Sequence, residues 1–532
     1  MVGNFAQGLQ GVFVQSEHDD GDPLTAEGIF VEHSATASPR LHSGDRVRVS
    51  GRVAELGQDK ASLTSLRDTV LTVLSRGQVK PTALSRAPAT AADWERYEGM
   101  YLQITAPLTV SGNDGLSRYG ELSASFDGRL FRPTELVAPG SQAEAIAADN
   151  ARRRVLLDDA RSTENPGSLW FLPQPLSDAQ PVRAGSQLTQ VFGVLDQRSG
   201  KYRLQLTEPV QVRQQPRPSA PSVPGDFRVA SLNLLNLFNG DGHGAGFPTQ
   251  RGAQTFAQYQ QQQAKLVAVV QALKPDVAAL MEVENDSVGA DSTVQQFADA
   301  LNAAGPGRDY RAVATGRGPG TDAIRVAMIY RSTRVRPEGR AVFLTGGPFA
   351  ERSRVPMAQA FRVGSGSVFV VAANHFKSKG CGHDDKQAQG EDGDRHDGQG
   401  CWNAVRVESA RRLHAWLAGD PTRSASKLVL VVGDLNAHAQ EDPLRALYQS
   451  GWQDAFALAQ VVAPYSFVFD GQAGRLDHAL LNAALAAHLR GAAEWHNNSD
   501  EAEFFDYHQD LDGDPYRASD HDPILLGFDL AH

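Results

Sequence analysis

The sequence predicts a multidomain protein with an all-β N-terminal part and an α/β C-terminal part, and three observations support this. The chain has 532 residues, more than one ordinary domain holds. Residues 1–213 consist of short strand-like runs between clusters of Gly, Asp and Pro. After the Pro-rich segment 214–225, apolar strand-like runs alternate with helical patterns.

The N-terminal part divides into two predicted β units. The first, residues 1–107, contains the strand-like runs 11–15, 28–32 and 45–53. A Gly-Asp turn before an alternating strand is typical of a five-stranded barrel of the oligonucleotide/oligosaccharide-binding (OB) type, although any small β-barrel or sandwich fits the pattern equally well. The second unit, residues 108–213, is predicted to be another β-rich, OB-like domain.

The segment 214–225 is the clearest domain boundary, because its four prolines predict a stiff, extended linker. Residues 226–532 form the remaining predicted domain, a two-layer α/β sandwich with functional loops at the strand ends. Its predicted strands are 227–232, 277–281, 325–330, 368–373, 428–432, 478–481 and 524–528, and its clearest helices are 258–273 and 404–417.

The charge balance limits the classes of function. The formal net charge is −11, which argues against binding polyanions through a basic field over the whole surface. A local basic groove, or a metal ion that offsets phosphate charge, stays compatible with this charge. No segment reaches the roughly 18 apolar residues that a membrane span needs. We expect a chain without a membrane span, and a monomer.

Two cysteines, Cys381 and Cys401, lie in one polar segment rich in Gly and Asp. Their spacing is too wide for a zinc knuckle, which leaves a disulfide or two unrelated thiols. A disulfide here contributes about 3 kcal/mol in the chain-entropy model and implies an oxidising compartment. Since Met1–Phe5 lacks the pattern of a signal peptide, we expect the mature form of a secreted or periplasmic protein; a cytosolic protein with reduced thiols is the alternative.

Four motifs place polar side chains directly after an apolar, strand-like run. They are Val229–Asn233, Ala279–Val283, Val432–Asn436 and Ser519–His521, and the His-bearing segments 374–379 and 475–478 accompany them. A sheet can present side chains from several strand ends to one point. Their oxygen ligands suit Mg²⁺ or Mn²⁺ better than zinc, and such a metal polarises a phosphoryl oxygen.

These motifs, in this order, resemble those of a known superfamily. Residues 226–532 are similar to the endonuclease/exonuclease/phosphatase superfamily, whose members include deoxyribonuclease I. The whole chain resembles bacterial extracellular nucleases of the ExeM/NucH type, which place β-barrel domains before that catalytic domain, and Gly21–Val31 looks like their opening barrel. The resemblance implies a catalytic domain with the sandwich fold of deoxyribonuclease I.

The resemblance also implies a metal site and a water-positioning pair. Asn233 and Glu282 would hold Mg²⁺ or Mn²⁺, with Asp520 as a further ligand. Asp434 and Asn436, in the run Gly-Asp-Leu-Asn-Ala, would orient the attacking water and contact the scissile phosphate. Each of these residue types also occurs in turns and helix caps, so the set as a whole carries the prediction.

Two histidines complete the implied catalytic set. His521 would act as general base or phosphate stabiliser, and Asp477 would pair with a catalytic histidine. His375 matches the second histidine of the deoxyribonuclease I branch. Arg354 matches an arginine that binds the substrate phosphate, and Asp322 lies in a recurrent loop of the secreted group.

Other charged residues allow two interpretations each. Lys377 either lines a basic groove for the substrate or solubilises its loop. The acidic clusters within 384–397 and 510–514 either bind structural Ca²⁺ or are solvated. His438 and His478 are predicted to be surface or packing residues.

We therefore predict a secreted, divalent-metal-dependent nuclease that hydrolyses phosphodiester bonds of DNA with little sequence specificity, RNA being the second candidate substrate. Water activated by a His/Asp pair would attack in line, without a covalent intermediate. The N-terminal barrels would hold the strand through backbone contacts and stacking. The alternatives are a phosphomonoesterase or phospholipase of the same superfamily, and a non-enzymatic protein that grips extracellular DNA.

Overall fold

The computed structural model describes the chain except residues 19, 23, 58–61, 287–288, 316–317, 383–387, 509–512 and 531–532. Asp384 and Asp385 of the first acidic cluster, and 510–512 of the second, therefore lie outside the described residues. Among the described helices, none is both long and apolar enough to cross a membrane.

The first β-sheet contains the N-terminal strands. They are β1 Gly3–Asn4, β2 Gly11–Gln15, β3 Gly28–Glu32, β4 Asp45–Leu56 and β5 Leu63–Arg76. They pair in the order β1-β2-β3-β5-β4, with β3 and β5 parallel. The three runs predicted in this part are confirmed as β2, β3 and the first part of β4.

The second sheet has nine strands in the order β14-β11-β8-β9-β10-β13-β12-β7-β6. These strands are β6 Thr82–Leu84, β7 Tyr101–Ile104, β8 Leu108–Gly112, β9 Glu121–Ser125, β10 Arg154–Asp158, β11 Gln187–Thr189, β12 Val191–Arg198, β13 Lys201–Leu206 and β14 Gln211–Arg213. Helices α1 Leu116–Tyr119, α2 Pro133–Leu136 and α3 Ser141–Arg153 lie between them in the chain. The sheet buries its own apolar core, which includes Trp94, Leu122 and Leu195.

Neither N-terminal sheet closes into a barrel. Within the described part of the chain, each pairs in a linear order whose two end strands have one neighbour, namely β1 and β4 in the first sheet and β14 and β6 in the second. The predicted OB-like barrels are therefore not confirmed, although the mainly β character is. Alternating patterns predict strands but not closure, because closure depends on strand tilt and stagger, which packing sets. The domain limits stay predictions.

The C-terminal region alternates strands and helices as expected. Its strands are β15 Phe227–Leu237, β16 Val277–Glu284, β17 Tyr310–Ala312, β18 Ile324–Arg331, β19 Val335–Phe343, β20 Met357–Val363, β21 Val368–His375, β22 Leu428–Asp434, β23 Gln453–Asp454, β24 Phe467–Phe469, β25 Gln472–Gly474, β26 Asp477–Leu481, β27 Leu489–Glu494 and β28 Ile524–Phe528. Its helices are α4 Phe256–Leu273, α5 Thr293–Ala304, α6 Pro348–Glu351, α7 Asn403–Ala418, α8 Asp442–Gln449, α9 Ala455–Leu458 and α10 Ala483–Ala486. All strands and helices predicted from the sequence in this region lie inside these elements.

Two sheets of this region pack face to face. Their orders are β17-β18-β16-β15-β28-β27 and β19-β20-β21-β22-β26-β23. Apolar side chains of both, such as Met281 and Val371, form the core between them. Helices α4 and α5 cover the outer face of the first sheet, and α7 and α8 that of the second. The predicted two-layer sandwich is thus a four-layered α/β/β/α arrangement, because strands that are apolar on both faces must bury both.

Candidate active site

The parallel strand pairs bring the predicted site residues to one edge of the packed sheets. In β15 and β16, Asn233 lies opposite Met281, the residue before Glu282. In β21 and β22, His375 lies opposite Asp434. Because parallel strands end at the same edge of a sheet, residues far apart in the sequence meet there.

Glu282 is turned toward Asn233 by a local irregularity of the strand. Its φ is 60°, and the pairing of β16 with β18 shifts between Leu280 and Val283. Such bulges re-aim a side chain at functional sites. Asn233 Nδ2 donates to Glu282 Oε1 at 3.2 Å, and the backbone N–H of Asn236 donates to Oε2 at 3.0 Å.

His375 lies at the centre of the cluster. Its Nε2 is 3.4 Å from Asp434 Oδ2, 4.0 Å from Glu282 Oε1 and 3.2 Å from Arg354 Nη1. The residue is only 2% exposed. Burial, together with the charge of Arg354, holds the pKa of His375 well below its usual range. The ring is therefore uncharged at neutral pH.

Asp434 and Asn436 form a tight turn after β22. The backbone N–H of Asn436 donates to Asp434 Oδ1 at 2.8 Å, and Asn436 Nδ2 donates to the carbonyl of Phe376 at 3.2 Å. Asn436 has a φ of 48°, a conformation that Asn tolerates better than most residues. Burial raises the pKa of the Asp434 carboxyl to about 7.

His521 and Asp477 form the expected pair. His521 Nδ1 is 2.6 Å from Asp477 Oδ2, which also accepts a hydrogen bond from Ser466 Oγ at 2.8 Å. The ring of Phe467 packs on the imidazole, with centroids 4.7 Å apart. Burial alone would lower the pKa of His521, but the carboxylates of Asp477 and Asp520 outweigh it and hold this pKa well above its usual range.

Ser466 and Phe467 were not predicted from the sequence to belong to the site. A hydroxyl and an apolar ring beside a short strand carry no motif that a single sequence could reveal. Their contribution is to hold Asp477 and His521 in one geometry, the hydroxyl by a hydrogen bond and the ring by stacking.

The two halves of the cluster act on each other through charge. Burial raises the pKa of Glu282, and the half-buried Asp520 raises it further, while His521 opposes them. The charge of Asp434 contributes to the high pKa of His521. The structure therefore brings together residues from six separate stretches of the chain, namely the four strand-end motifs and the two His-bearing segments.

The donor set suits Mg²⁺ or Mn²⁺. Among the described residues, no group of three or more His, Cys, Asp or Glu side chains is arranged to hold a metal ion. Mg²⁺, however, binds through one or two carboxylates and completes its shell with water and substrate phosphates. The half-buried Glu282, the amide of Asn233 and the nearby Asp520 fit that requirement, because a cation would offset the cost of desolvating the Glu282 carboxylate.

Asp322 joins two arginines beside the cluster. Arg354 Nε is 3.0 Å from Asp322 Oδ2, and Arg251 Nη2 is 3.5 Å from Asp322 Oδ1. These residues line a cavity of about 220 Å³. Arg251 was not predicted from the sequence, where it is an isolated arginine in a polar loop. The arrangement orients Arg354 toward His375, with its Nη1 facing the cluster.

Two further predictions have an outcome here. Cys381 and Cys401 form a disulfide with an S–S distance of 2.05 Å, which confirms the pairing. His438 and His478 are buried packing residues whose rings bond to the backbone carbonyls of Arg475 and Ala437. The structural Ca²⁺ sites stay predictions, since part of each acidic cluster lies outside the described residues.

A carboxylate of the N-terminal region supports the loops of the site. Glu135 Oε2 accepts hydrogen bonds from the backbone N–H groups of Ala439 and Arg475, both at 3.1 Å, and Glu135 Oε1 accepts from Arg475 Nε at 2.8 Å. Glu135 is 7% exposed, and Arg475 also pairs with Asp454 at 2.7 Å. Ala439 follows the Asp434–Asn436 turn and Arg475 precedes Asp477, so one buried side chain ties both segments together.

A second N-terminal contact supports the His521 loop. Arg129 pairs with Asp500 through two hydrogen bonds of 2.8 and 3.1 Å, and Asn113 Nδ2 donates to the carbonyl of Asp500 at 2.9 Å. Two residues before Asp500, Asn498 Nδ2 donates to the carbonyl of His521 at 2.6 Å. The N-terminal region therefore contacts the segments next to Asp434 and Asp477 and the segment that supports His521.

Two family models match parts of this chain. Residues 230–521 match a family model described as Endonuclease/Exonuclease/phosphatase family, and residues 64–215 match a model described as a domain of unknown function. No curated protein sequence matches the chain. The first match covers more than half of the 532 residues and includes the polar site residues of all four strand-end motifs.

Several solved structures are similar to the chain. The catalytic domain of human Nocturnin is 16% identical, with a TM-score of 0.36 over 57% of this chain and 94% of that chain. A mannosyl-6-phosphatase from Bacteroides thetaiotaomicron is 15% identical, with a TM-score of 0.36 over 57% and 98%. D. rerio TDP2 complexed with a single-strand DNA product is 14% identical, with a TM-score of 0.35 over 56% and 97%. On the match of residues 230–521, the chain belongs to the endonuclease/exonuclease/phosphatase family of hydrolytic enzymes.

Proposed function

We propose that this protein is a secreted, Mg²⁺- or Mn²⁺-dependent nuclease of the ExeM/NucH type that hydrolyses DNA phosphodiester bonds with little sequence specificity. The observation that carries this proposal is the cluster in which His375 lies between Glu282 and Asp434, close to the His521–Asp477 pair. A phosphodiester anion repels nucleophiles, so its hydrolysis needs positive charge and a proton acceptor at one place. This cluster supplies both.

The two histidines divide the proton chemistry in the proposed mechanism. The uncharged ring of His375 accepts a hydrogen bond from Arg354 at Nε2, so its electron pair would be available to a proton of water once Arg354 turns to the substrate phosphate. The ring of His521 keeps its proton because Asp477 stabilises the imidazolium. Its positive charge stabilises the phosphate, and its proton is available to the leaving oxygen. Of the two roles expected for His521, the pKa direction favours phosphate stabiliser over general base.

The remaining site residues would bind and orient. Asn233, Glu282 and Asp520 would hold the metal, which when bound polarises a phosphoryl oxygen and stabilises charge on the leaving oxygen. Asp434 and Asn436 would orient the attacking water, since their turn lies beside His375. Each group is held by further hydrogen bonds, which keeps the set close to its working geometry.

On the substrate side, Arg354 would bind the scissile phosphate through its Nη atoms, because its Nε pairs with Asp322. Asp322 thereby orients an arginine instead of contacting the substrate itself. Lys377, two residues after His375 in the chain, would add a second positive charge for binding the substrate. The disulfide supports an oxidising, extracytoplasmic location for this chemistry.

A direct activity assay tests the proposal. The protein is incubated with supercoiled plasmid, linear DNA and RNA in Mg²⁺ or Mn²⁺, and again with EDTA. We expect metal-dependent cleavage that EDTA abolishes. Absence of cleavage of both DNA and RNA would overturn the nuclease proposal, and faster turnover of a soluble phosphomonoester than of DNA would assign a phosphatase instead.

Replacing the proposed metal ligand should separate metal binding from folding. Glu282→Gln is expected to weaken Mn²⁺ binding and to lower kcat by about 100-fold or more, since a metal contributes several kcal/mol of charge stabilisation. Mn²⁺ affinity is measured by calorimetric titration and kcat on plasmid. The matched control is Glu284→Gln, on the same strand, whose carboxylate bonds to Asn239 and Thr293. Equal effects of both variants would contradict the assignment of Glu282.

The pH dependence of kcat/KM should reflect the titration of Asp434 and His521. We expect kcat/KM to rise as pH increases through about 7, where the Asp434 carboxyl loses its proton. It should fall at alkaline pH, where the imidazolium of His521 is lost. Because the Asp477 carboxylate holds that proton, Asp477→Asn should shift the alkaline limb to lower pH. An unshifted alkaline limb, or a flat profile from pH 5 to 9, would contradict these roles.

A further inference from the structure

Two cations, Arg352 and Lys377, lie on one aromatic ring, that of Trp402, and the proposed function has assigned no role to Arg352 or to the ring. The guanidinium carbon of Arg352 is 4.9 Å from the ring centroid of Trp402, and Lys377 Nζ is 5.4 Å from the same centroid. Trp402 is held in place, because it follows the disulfide-bonded Cys401 and its Nε1 donates to the carbonyl of Gly380 at 3.0 Å. The ring is therefore a rigid support for two positive charges.

This feature adjoins the candidate active site. The backbone N–H of Arg354 donates to the carbonyl of His375 at 3.1 Å, and the backbone N–H of Lys377 donates to Ser353 Oγ at 3.1 Å. The segments 352–354 and 375–377 thus lie side by side. Arg352 also lines the cavity of about 220 Å³ that Arg354 lines, a volume several times the ~30 Å³ that one water molecule occupies in the liquid.

The charges on this feature lack a counterion from the protein. Within the described part of the chain, neither Arg352 nor Lys377 has a carboxylate at salt-bridge distance, whereas Arg251 and Arg354 share Asp322. Burial lowers the pKa of Lys377, the charges of Arg354, Arg406 and Arg352 lower it further, and the charge of Asp322 opposes them only in part. An aromatic face holds a cation without neutralising it. Positive charge therefore accumulates here on a chain of net charge −11.

We propose that Arg352 and Lys377, supported by Trp402, form a second phosphate subsite, which binds a phosphate of the substrate chain other than the one that is cleaved. The subsite rests on the proposed nuclease function and narrows its substrate class. A phosphomonoester or a compound with a single phosphodiester has no second phosphate to place there, but a polynucleotide does. Arg352 is exposed, so an incoming strand can reach it.

The test compares substrates with one and with many phosphates. Arg352→Ala is expected to lower kcat/KM on a twelve-residue oligonucleotide by about tenfold, the size of one charge-assisted hydrogen bond, and to leave kcat/KM on a dinucleotide unchanged. The slope of log(kcat/KM) for the oligonucleotide against log salt concentration should become shallower by about 0.7–0.9, as for one lost phosphate contact. Arg352→Lys keeps the charge and should restore most of the loss.

Arg340→Ala is the matched control, because it removes one exposed positive charge from β19 at another place on the surface. This variant should leave kcat/KM unchanged on both substrates. Thermal unfolding checks that every variant is folded. Equal losses on both substrates, no loss on the oligonucleotide, or the same loss in the Arg340→Ala variant would each overturn the subsite while the nuclease proposal stands. A wild-type protein that cleaves neither substrate would overturn the nuclease proposal and the subsite with it.

Discussion

The His521→Asn variant is expected to lose about 10²–10⁴-fold in kcat, the range that general acid–base groups contribute. The reason is that His521 supplies an imidazolium. Its Nδ1 lies 2.6 Å from Asp477 Oδ2, and the carboxylates of Asp477 and Asp520 stabilise its charge. Asparagine preserves much of the side-chain volume against Phe467 but can neither carry the charge nor transfer the proton. The measurement is single-turnover cleavage of a labelled DNA duplex in Mg²⁺.

The partner of His521 allows a sharper version of this experiment. If Asp477 acts through His521, the double variant Asp477→Asn/His521→Asn should lose no more activity than His521→Asn alone, since residues that act as a unit are not additive. His488→Asn serves as a control, because the ring of His488 bonds to the carbonyl of Asp529, at the far end of the sheet. Fully additive losses would show that the two residues act independently.

The Glu135→Leu variant is expected to lower the free energy of unfolding by about 3 kcal/mol, near the lower end of the cost of breaking a buried ion pair. The change leaves Arg475 with one partner, Asp454, and removes the acceptor for two backbone N–H groups. Because Glu135 ties together the segments before Asp477 and after Asn436, kcat should also fall, by up to about 100-fold for a shift of roughly 1 Å. Urea unfolding and single-turnover cleavage measure the two effects.

A surface carboxylate of the same region provides the control for this variant. Glu144→Leu, on the exposed face of α3, should change the free energy of unfolding by about 0.5 kcal/mol or less. A second variant, Glu135→Gln, keeps the shape and one acceptor oxygen, which can still accept from both backbone N–H groups. A folded Glu135→Gln protein with reduced kcat would separate positioning of the loops from stability. Wild-type stability and activity in Glu135→Leu would show that the N-terminal region does not support the site.

Much of the C-terminal fold was predictable because its signals are local. The runs that became β16, β21 and β22 are continuous and apolar, as strands buried on both faces must be. The N-terminal strands were equally predictable, but their closure into barrels was not, since closure depends on how strands far apart in sequence tilt and pair.

The sequence by itself determined which chemical groups this protein places after its strands: carboxylates, amides and two histidines, in an order typical of its family. Only the tertiary structure decided their states. His375 is uncharged and His521 is charged because burial and neighbours differ between them, and those neighbours come from other parts of the chain. The support that Glu135 gives to the site was equally invisible, since a contact between residues about three hundred positions apart has no local signature.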